Sequence, residues 1–351
     1  MDKRKFMKNR KKRVLAAVLL CCLFVVSFGL SGCGRSGNRE SGAAGEMQKT
    51  TQTVPEAEAQ KPYPYVFQPH VMSAEYKDKY GEEIEQIFYD FCDAALAGEE
   101  SFPCPDAISY YAVFDIARSC LPVASAYTVI EENQPQNGIG KITYTVPLEE
   151  YKERVQEFKD RISWWITGCL KEGDVPFERV VSLYTALTNN LCYDYEALES
   201  SIDLSPYRAL MEDRAICQEI AGAYVYLLLQ TDVNACLCGA LSRDMSNAHE
   251  WVMVVLDGQY YHMDPTFELD TFVGLRYFGM TDEKRQQEGD YPISYFNVAE
   301  VNGLDQSEYA AVDQRFAPLW NTAWYELDRE RKVLLYYPVN NMDEALEFYY
   351  G

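Results

Sequence analysis

Histidine is scarce in this sequence, and so are the spaced ligand pairs from which metal sites are built. The 351 residues contain three histidines, His70, His249 and His262, and no C-x-x-C pair. This excludes a zinc site of the usual ligand spacing. The chain also lacks a glycine-rich nucleotide loop and a calcium-binding loop of the usual pattern. We therefore expect the protein to use neither a metal nor a cofactor.

Basic residues are in deficit as well. The sequence has 32 Lys and Arg against 54 Asp and Glu, a net charge of −22. Residues 1–32 hold eight of the basic residues against one acid, so removing them takes the charge to −29. An acidic surface of this kind argues against nucleic acid and against an anionic membrane face as partners.

The basic residues of the N-terminus precede an apolar run, and together they predict a signal peptide over residues 1–32. The uncharged run Val14–Leu30 ends in Leu30-Ser31-Gly32-Cys33. A basic segment, an apolar segment and small residues at a cleavage point are typical of secretory signals. The four-residue end resembles the bacterial lipobox, which implies that Cys33 is lipidated. An ordinary membrane anchor is the alternative, since the run is close to spanning length.

Aromatic residues are absent from residues 33–60, which are rich in Gly, Ser, Ala, Gln, Glu and Thr. Such a segment cannot bury enough apolar surface to offset its ordering entropy. We predict a flexible tether that holds the folded part outside the cytoplasmic membrane, in contact with it only through the lipid. Three parts follow: an N-terminal helical and hairpin region (61–172), a catalytic core (173–300) and a C-terminal hairpin extension (301–351).

Apolar periodicity gives the fold class. Spacings of three and four residues predict helices over residues 76–97, after Pro147, after Pro176 and from Cys217 to Gln230. Alternating stretches predict a hairpin around Asn137-Gly138 (126–131 with 141–146) and strands over 235–241, 250–256 and 259–264. The order of helices and then strands favours an α+β fold with an antiparallel sheet. Eight cysteines follow residue 33, and no disulfide pairing among them can be read from the sequence.

Cys217 stands at the start of a helix that is apolar nearly all round. The positive end of the helix dipole favours a thiolate there, and free backbone N–H groups can stabilise an oxyanion. A buried structural cysteine is the alternative for this residue taken alone.

Asp257-Gly258 predicts a two-residue hairpin turn that pairs Leu256 with Gln259. In that register His249 and Asp264 are diagonal neighbours on one face, within reach of an imidazole and a carboxylate. Asp264 is then able to fix the tautomer of His249 and leave its other nitrogen facing Cys217. A turn one residue longer or shorter would separate the two.

His262 lies on the same predicted face and is a rival base, although we favour a structural, hydrogen-bonded role for it. Nothing around His70 suggests chemistry.

The region from about Phe177 to Met280 resembles the transglutaminase-like superfamily, which shares the papain-like thiol fold. The matching motifs are N-L-C-Y-D (190–194), I-C-Q-E-I-A (216–221), N-A-H-E-W (247–251) and L-D-G-Q-Y-Y-H-M-D-P-T (256–266). The resemblance implies a Cys nucleophile, a His base and an orienting Asp, carried here by Cys217, His249 and Asp264. It also implies acyl transfer at protein or peptide amide bonds through a thioester.

Departures from the family pattern and two accessory residues complete the expectations. Relatives carry Gly on both sides of the Cys, where this chain has Ala215 and Glu219; we expect the Glu219 charge to raise the thiol pKa. Tyr193 is a candidate oxyanion residue, and Trp251 is a candidate for lining the acceptor side or for packing. An active thiol enzyme is the favoured hypothesis. A catalytically degenerate binding module and a structural envelope domain are the alternatives.

Overall fold

The computed structural model describes residues 60–197, 205–269, 274–299 and 306–351. The expected signal peptide, the lipidation site Cys33 and all of the expected tether except its last residue lie outside these ranges. Within the described part of the chain, no helix combines the length and the apolar character that crossing a membrane requires. The described residues combine helices with antiparallel sheets, so the predicted α+β class is confirmed.

Helices dominate the N-terminal region. They are α1 (Ala74–Tyr80), α2 (Glu82–Ala97), α3 (Ala107–Cys120), α4 (Pro122–Tyr127) and α5 (Leu148–Cys169). The single helix predicted over 76–97 is wrong in one respect, because it breaks at Gly81. This glycine has φ +83, which lies outside the helical region and is a conformation that glycine adopts readily. Gly98, with φ +73, ends α2 as expected.

The hairpin predicted around Asn137-Gly138 is only half right. The turn is present, with φ +54 and +79 at its two central residues. Its arms pair with each other, but only over β2 (Thr128–Val129) and β4 (Thr143–Tyr144). The segment that follows the turn, β3 (Ile139–Lys141), pairs instead with β1 (Ser101–Pro103). The start of the first predicted arm, at 126–127, belongs to α4 instead. Helix α4 and the partner strand β1 therefore override the local alternation.

The core of the molecule surrounds the helix that begins at Cys217. Its elements are α6 (Pro176–Asn190), β5 (Cys192–Tyr193), α7 (Pro206–Met211), β6 (Arg214–Ala215) and α8 (Cys217–Leu229). Helix α8 is buried over most of its length, as its all-round apolar sequence predicts. Gly222 permits the close approach of α7, because a Cβ there would lie 2.4 Å from Pro206 Cγ.

A four-stranded antiparallel sheet packs against α8. Its order is β10-β7-β8-β9, with β7 (Ala235–Leu241), β8 (Ala248–Leu256), β9 (Gln259–Met263) and β10 (Asn297–Val298). Leu256 pairs with Gln259 across the turn at Asp257-Gly258, so the predicted register is confirmed. Two short helices follow β9: α9 (Pro265–Glu268) and α10 (Asp282–Gln287). The strand ends one residue before Asp264, which caps α9.

The C-terminal segment forms a second antiparallel sheet. The predicted hairpin is confirmed as β11 (Thr322–Asp328) and β12 (Val333–Pro338), and β13 (Leu346–Tyr349) adds a third strand. Among the described residues, one 3₁₀ helix, Ile293–Tyr295, precedes β10, and two others, Gln306–Tyr309 and Ala317–Asn321, lie between β10 and β11 in the chain. Aromatic contacts of Phe177 with Phe348 and Tyr350 join this sheet to α6.

Candidate active site

Cys217 is the first residue of α8 and is half-buried. Glu219 accepts a hydrogen bond from the backbone N–H of Ile216 at 2.9 Å, which fixes the start of the helix immediately before the thiol. The sulfur thus lies at the positive end of a buried helix, and the helix dipole stabilises a thiolate at this position.

The surroundings of Cys217 nevertheless oppose ionisation of an isolated thiol. Burial, followed by the negative charges of Glu250 and Asp264, raises the pKa of Cys217 to about 12. Backbone hydrogen bonds from Glu250 and Gln218 act in the opposite direction and lower this pKa. A thiolate at neutral pH therefore requires a base that receives the proton nearby.

His249 and Asp264 form a buried hydrogen-bonded pair. His249 Nε2 lies 2.7 Å from Asp264 Oδ2; the histidine is 6% exposed and the aspartate is fully buried. Asp264 Oδ1 accepts from the backbone N–H of Phe267 at 3.1 Å, so the cap of α9 orients the carboxylate. This contact uses Nε2, so the other imidazole nitrogen, Nδ1, is left for a further contact.

The sheet brings this pair to the cysteine. Helix α8 packs on β8, and the Cys217 sulfur lies within hydrogen-bonding reach of the backbone of Glu250, the residue that follows His249. The three residues singled out in the sequence therefore converge where the start of α8 meets the start of β8.

Asp264 has a second cationic neighbour that the sequence did not reveal. Arg285 Nη2 lies 3.4 Å from Asp264 Oδ2, and both side chains are fully buried. Burial raises the pKa of Asp264, but the positive charges of His249 and Arg285 and the hydrogen bonds from His249 and Phe267 lower it further, below its ordinary value. Arg285 lies in the polar stretch D-E-K-R-Q-Q, where nothing in the sequence distinguishes it from a solvated residue.

Tyr193 also lies close to the cysteine. Strand β5 pairs in parallel with β6, which places Tyr193 beside Ala215. The Tyr193 hydroxyl lies within hydrogen-bonding reach of both the thiol and the backbone of Cys217. Burial and the proximity of Cys217 raise the tyrosine pKa well above its ordinary value, so the phenol keeps its proton as a donor.

Trp251 does not line a surface. Its side chain is fully buried and its indole Nε1 donates to His262 Nδ1 at 2.8 Å. Of the two roles considered for it, the acceptor-side role is wrong, because a side chain without solvent-accessible surface has no face to offer a substrate. Packing beside His249 accounts for its position, with ring centroids 5.9 Å apart.

His262 and His70 both have structural partners. His262 is fully buried, and its two nitrogens contact Trp251 at 2.8 Å and Asp282 at 2.8 Å. Both nitrogens are thus occupied, which fits the structural role favoured from the sequence. His70 lies far along the chain in the N-terminal region, where it contacts Asp93 and stacks on Tyr89.

Glu219 does not direct its charge at the thiol, contrary to expectation. The carboxylate is fully buried in a fork with Arg208: Nε to Oε1 is 2.8 Å and Nη2 to Oε2 is 2.5 Å. A third bond joins Arg208 Nη1 to Asp194 at 2.7 Å. The Glu219 charge is therefore compensated by the guanidinium, and the charges that raise the pKa of Cys217 come from Glu250 and Asp264.

No cluster of three or more His, Cys, Asp or Glu side chains within the described ranges has the geometry to hold a metal ion. The described cysteines are all free thiols, from Cys92 to Cys238. The side chains brought together at the start of α8 are therefore those of a thiol, an imidazole, carboxylates, a phenol and arginine.

Comparisons with known proteins agree with this arrangement. The family model described as the transglutaminase-like superfamily matches residues 165–265, a segment that contains Cys217, His249 and Asp264. Over this segment, a little under a third of the chain, the sequence is similar to that superfamily. No curated protein matches the chain.

Three solved structures match part of the chain. They are a TGase (15% identity, TM-score 0.27, 35% of this chain and 34% of that chain), a proposed cysteine protease from Cytophaga hutchinsonii (15%, 0.26, 32% and 37%) and a proposed protease from Parabacteroides distasonis (12%, 0.24, 38% and 35%). The chain thus spans about a third of the length of each of these structures. The comparisons give a similarity of the central segment to this superfamily and no activity.

Proposed function

We propose that this protein is a thiol enzyme that transfers acyl groups from protein or peptide amides through a thioester on Cys217. The observation that carries the proposal is the 2.7 Å contact between His249 Nε2 and Asp264 Oδ2, in a buried site next to the start of the Cys217 helix. Such a pair provides the base that a thiol with a raised pKa requires.

The reaction follows from the roles of these groups. His249 takes the proton of the Cys217 thiol, and the sulfur bonds to the acyl carbon of an amide. As the C–N bond breaks, His249 delivers the proton to the departing amine. Water or a second amine then attacks the thioester, giving its proton to His249, which returns it to the sulfur as the C–S bond breaks. Both hydrolysis and transamidation are open to such a site.

Tyr193 is proposed as an oxyanion donor. Its hydroxyl lies within hydrogen-bonding reach of the Cys217 thiol and of the Cys217 backbone, at the start of α8. Negative charge develops on the carbonyl oxygen when the thiolate attacks, and donors aimed at that oxygen stabilise the transition state.

A binding module that keeps this fold without turnover is the second candidate. The observation in its favour is the pKa of Cys217, which burial raises to about 12 and which leaves an isolated thiol inert near neutral pH. The two candidates differ in whether His249 removes the thiol proton.

The proposed location is outside the cytoplasmic membrane, with the chain held there by lipid on Cys33. Support comes from the sequence alone, through the basic and apolar segments that precede Leu30-Ser31-Gly32-Cys33. Metabolic labelling with a fatty acid tests it: the full chain should incorporate the label, and Cys33→Ala should not.

Alkylation of the full chain with iodoacetamide at several pH values, mapped by mass spectrometry, tests the enzyme. We expect Cys217 to react far faster near pH 7 than the exposed Cys192, and to lose that advantage in His249→Ala. His70→Ala is the matched control and should leave the rate unchanged. Equal rates at Cys217 and Cys192 in the unmodified protein would reject the enzyme and favour the binding module.

A further inference from the structure

Arg285 is a fully buried cation at the back of the site. It lies on α10, and its Nη1 donates to the backbone oxygen of Glu288 at 3.0 Å. Its Nη2 lies at ion-pair distance from Asp264, 3.4 Å, yet Nε and Nη2 make no hydrogen bond within the described residues. Burying a guanidinium with so few hydrogen bonds costs free energy, and its charge therefore acts strongly on the groups around it.

The guanidinium and the imidazole of His249 share the same surroundings. Three rings face Arg285, with its central carbon 4.4 Å from the centroid of Trp251, 4.9 Å from Phe267 and 5.0 Å from Tyr291. The same three rings lie beside the imidazole, at centroid distances of 5.9, 4.4 and 5.9 Å. Both groups also approach one oxygen, Asp264 Oδ2.

One carboxylate oxygen therefore serves two cations whenever His249 is protonated. Arg285 carries its charge at every relevant pH, whereas an imidazole is charged only while it holds the proton. Without Arg285, the charge of the Asp264 carboxylate would be balanced by the imidazole alone, so that carboxylate would hold a proton on His249 more firmly. With Arg285 present, the carboxylate stays ionised and attracts that proton less strongly.

We propose that Arg285 is a positioning residue that keeps the Asp264 carboxylate ionised and aimed at His249 while limiting how firmly that carboxylate holds a proton on the imidazole. The proposal rests on the proposed function, since it assigns a role within the same thiol site. Its consequence is that His249 releases the proton to a departing amine more readily than a histidine paired with an isolated buried aspartate would.

Other ionisable groups also face this cluster, and a pH effect has to be separated from theirs. From α6, Tyr184 donates to Glu268 and to the backbone of Asp264. The remaining groups are Cys217 and Glu250 near the thiol, Tyr277 near Asp264, and Tyr291, Cys238, His262 with Asp282, and Glu288 near Arg285. Among these groups His262 is the other histidine, and burial lowers its pKa.

The test is a histidine titration by NMR with ¹³C-labelled histidine in the full chain, where three histidines give three resolvable signals. In a Cys217→Ala background, which removes the thiol titration, we expect Arg285→Met to move the protonation midpoint of His249 upward by about one pH unit. Arg285→Lys keeps the charge and should leave the midpoint near that of the parent. An unchanged midpoint in a folded Arg285→Met variant would overturn the proposal.

Arg329→Met is the matched control. Arg329 is also a largely buried arginine in an ion pair, 2.8 Å from Asp174, but that pair lies between α6 and the C-terminal sheet. Its loss should weaken the fold without moving the His249 midpoint. A shift in this control as large as that in Arg285→Met would mean that general loosening, not the Arg285 charge, moves the titration.

A second measurement leaves Arg285 in place, in case its replacement prevents folding. In His249→Ala, the ¹³C signal of the Asp264 carboxyl should remain that of the ionised form at pH 6, because Arg285 still supplies a counter-charge. A protonated Asp264 at that pH would overturn the proposal. Neither titration depends on thiol reactivity, so the failure of the enzyme hypothesis in the alkylation experiment is a separate result.

Discussion

The two sides of the site each combine an arginine with carboxylates, but they use it in opposite ways. On the cysteine side, Arg208 is 27% exposed and forms a hydrogen-bonded fork with Glu219 and a third bond with Asp194. On the histidine side, Arg285 is fully buried and meets Asp264 at 3.4 Å without such a fork.

The two arginines therefore differ in role: Arg208 holds backbone segments in place, whereas Arg285 changes the electrostatics of the site. The Arg208 fork joins the start of α8 to the segment that follows Tyr193, so it fixes backbone positions through directed hydrogen bonds. Arg285 offers little directed bonding to Asp264, and what it contributes there is mainly charge. Removing the first arginine should therefore act on stability, and removing the second on the titration of the site.

The largest effect is expected from Arg208→Ala. The change leaves the fully buried Glu219 carboxylate without its cation, which should lower the free energy of unfolding by about 3 kcal/mol, somewhat less than for a fully buried pair because Arg208 is partly exposed. Urea unfolding measures it. Arg243→Ala, which breaks an exposed ion pair with Asp290, is the control and should cost less than about 0.5 kcal/mol. If Arg208→Ala and Arg243→Ala lowered the free energy of unfolding equally, the Arg208 fork would stabilise the fold no more than an exposed ion pair does, and the distinction between the two sides would be lost.

Tyr193→Phe should produce the next largest effect, on chemistry and not on stability. With p-nitrophenyl acetate as acyl donor, we expect acylation of Cys217 to slow about 10- to 100-fold, because one oxyanion donor is lost. Alkylation by iodoacetamide forms no oxyanion, so its rate should stay near that of the unmodified protein. If both reactions slow equally, Tyr193 acts by placing the thiol and is not an oxyanion donor.

On the histidine side, the sequence predicts which residues lie together better than it predicts the charges around them. The Asp257-Gly258 turn determines the register of β8 and β9, and from that register follows the neighbourhood of His249 and Asp264. Glu219 was misjudged because its proximity to Cys217 in sequence suggested proximity of charge, whereas the helical cap directs its carboxylate to Arg208. Arg285 could not be found at all: its burial depends on the packing of Trp251, Phe267 and Tyr291, which come from three different segments.

Acid should weaken the histidine side through Asp264, whose pKa is lowered in the folded state. A carboxyl with a depressed folded pKa stabilises the fold above its unfolded pKa, about 4, and that stability is lost as the pH falls through the folded value. Asp264→Asn removes this contribution, so its free energy of unfolding should fall less between pH 5 and pH 2 than that of the unmodified protein.

Urea unfolding across that pH range measures the difference, and Asp160→Asn on an exposed helix face is the control. An identical pH dependence in Asp264→Asn and the unmodified protein would show that His249 and Arg285 do not stabilise the ionised carboxylate more than solvent does.

Glu250 gives the smallest and most local test, because its two ends act on Cys217 in opposite directions. Its backbone lowers the pKa of the thiol by hydrogen bonding, whereas its carboxylate raises it by charge repulsion. Glu250→Gln removes only the carboxylate charge, so alkylation of Cys217 near pH 7 should become about two- to fivefold faster. Glu83→Gln, on an exposed part of α2, should change nothing. A slower reaction in Glu250→Gln would mean that the carboxylate mainly holds β8 against α8, and the histidine side would then depend on directed contacts as the cysteine side does.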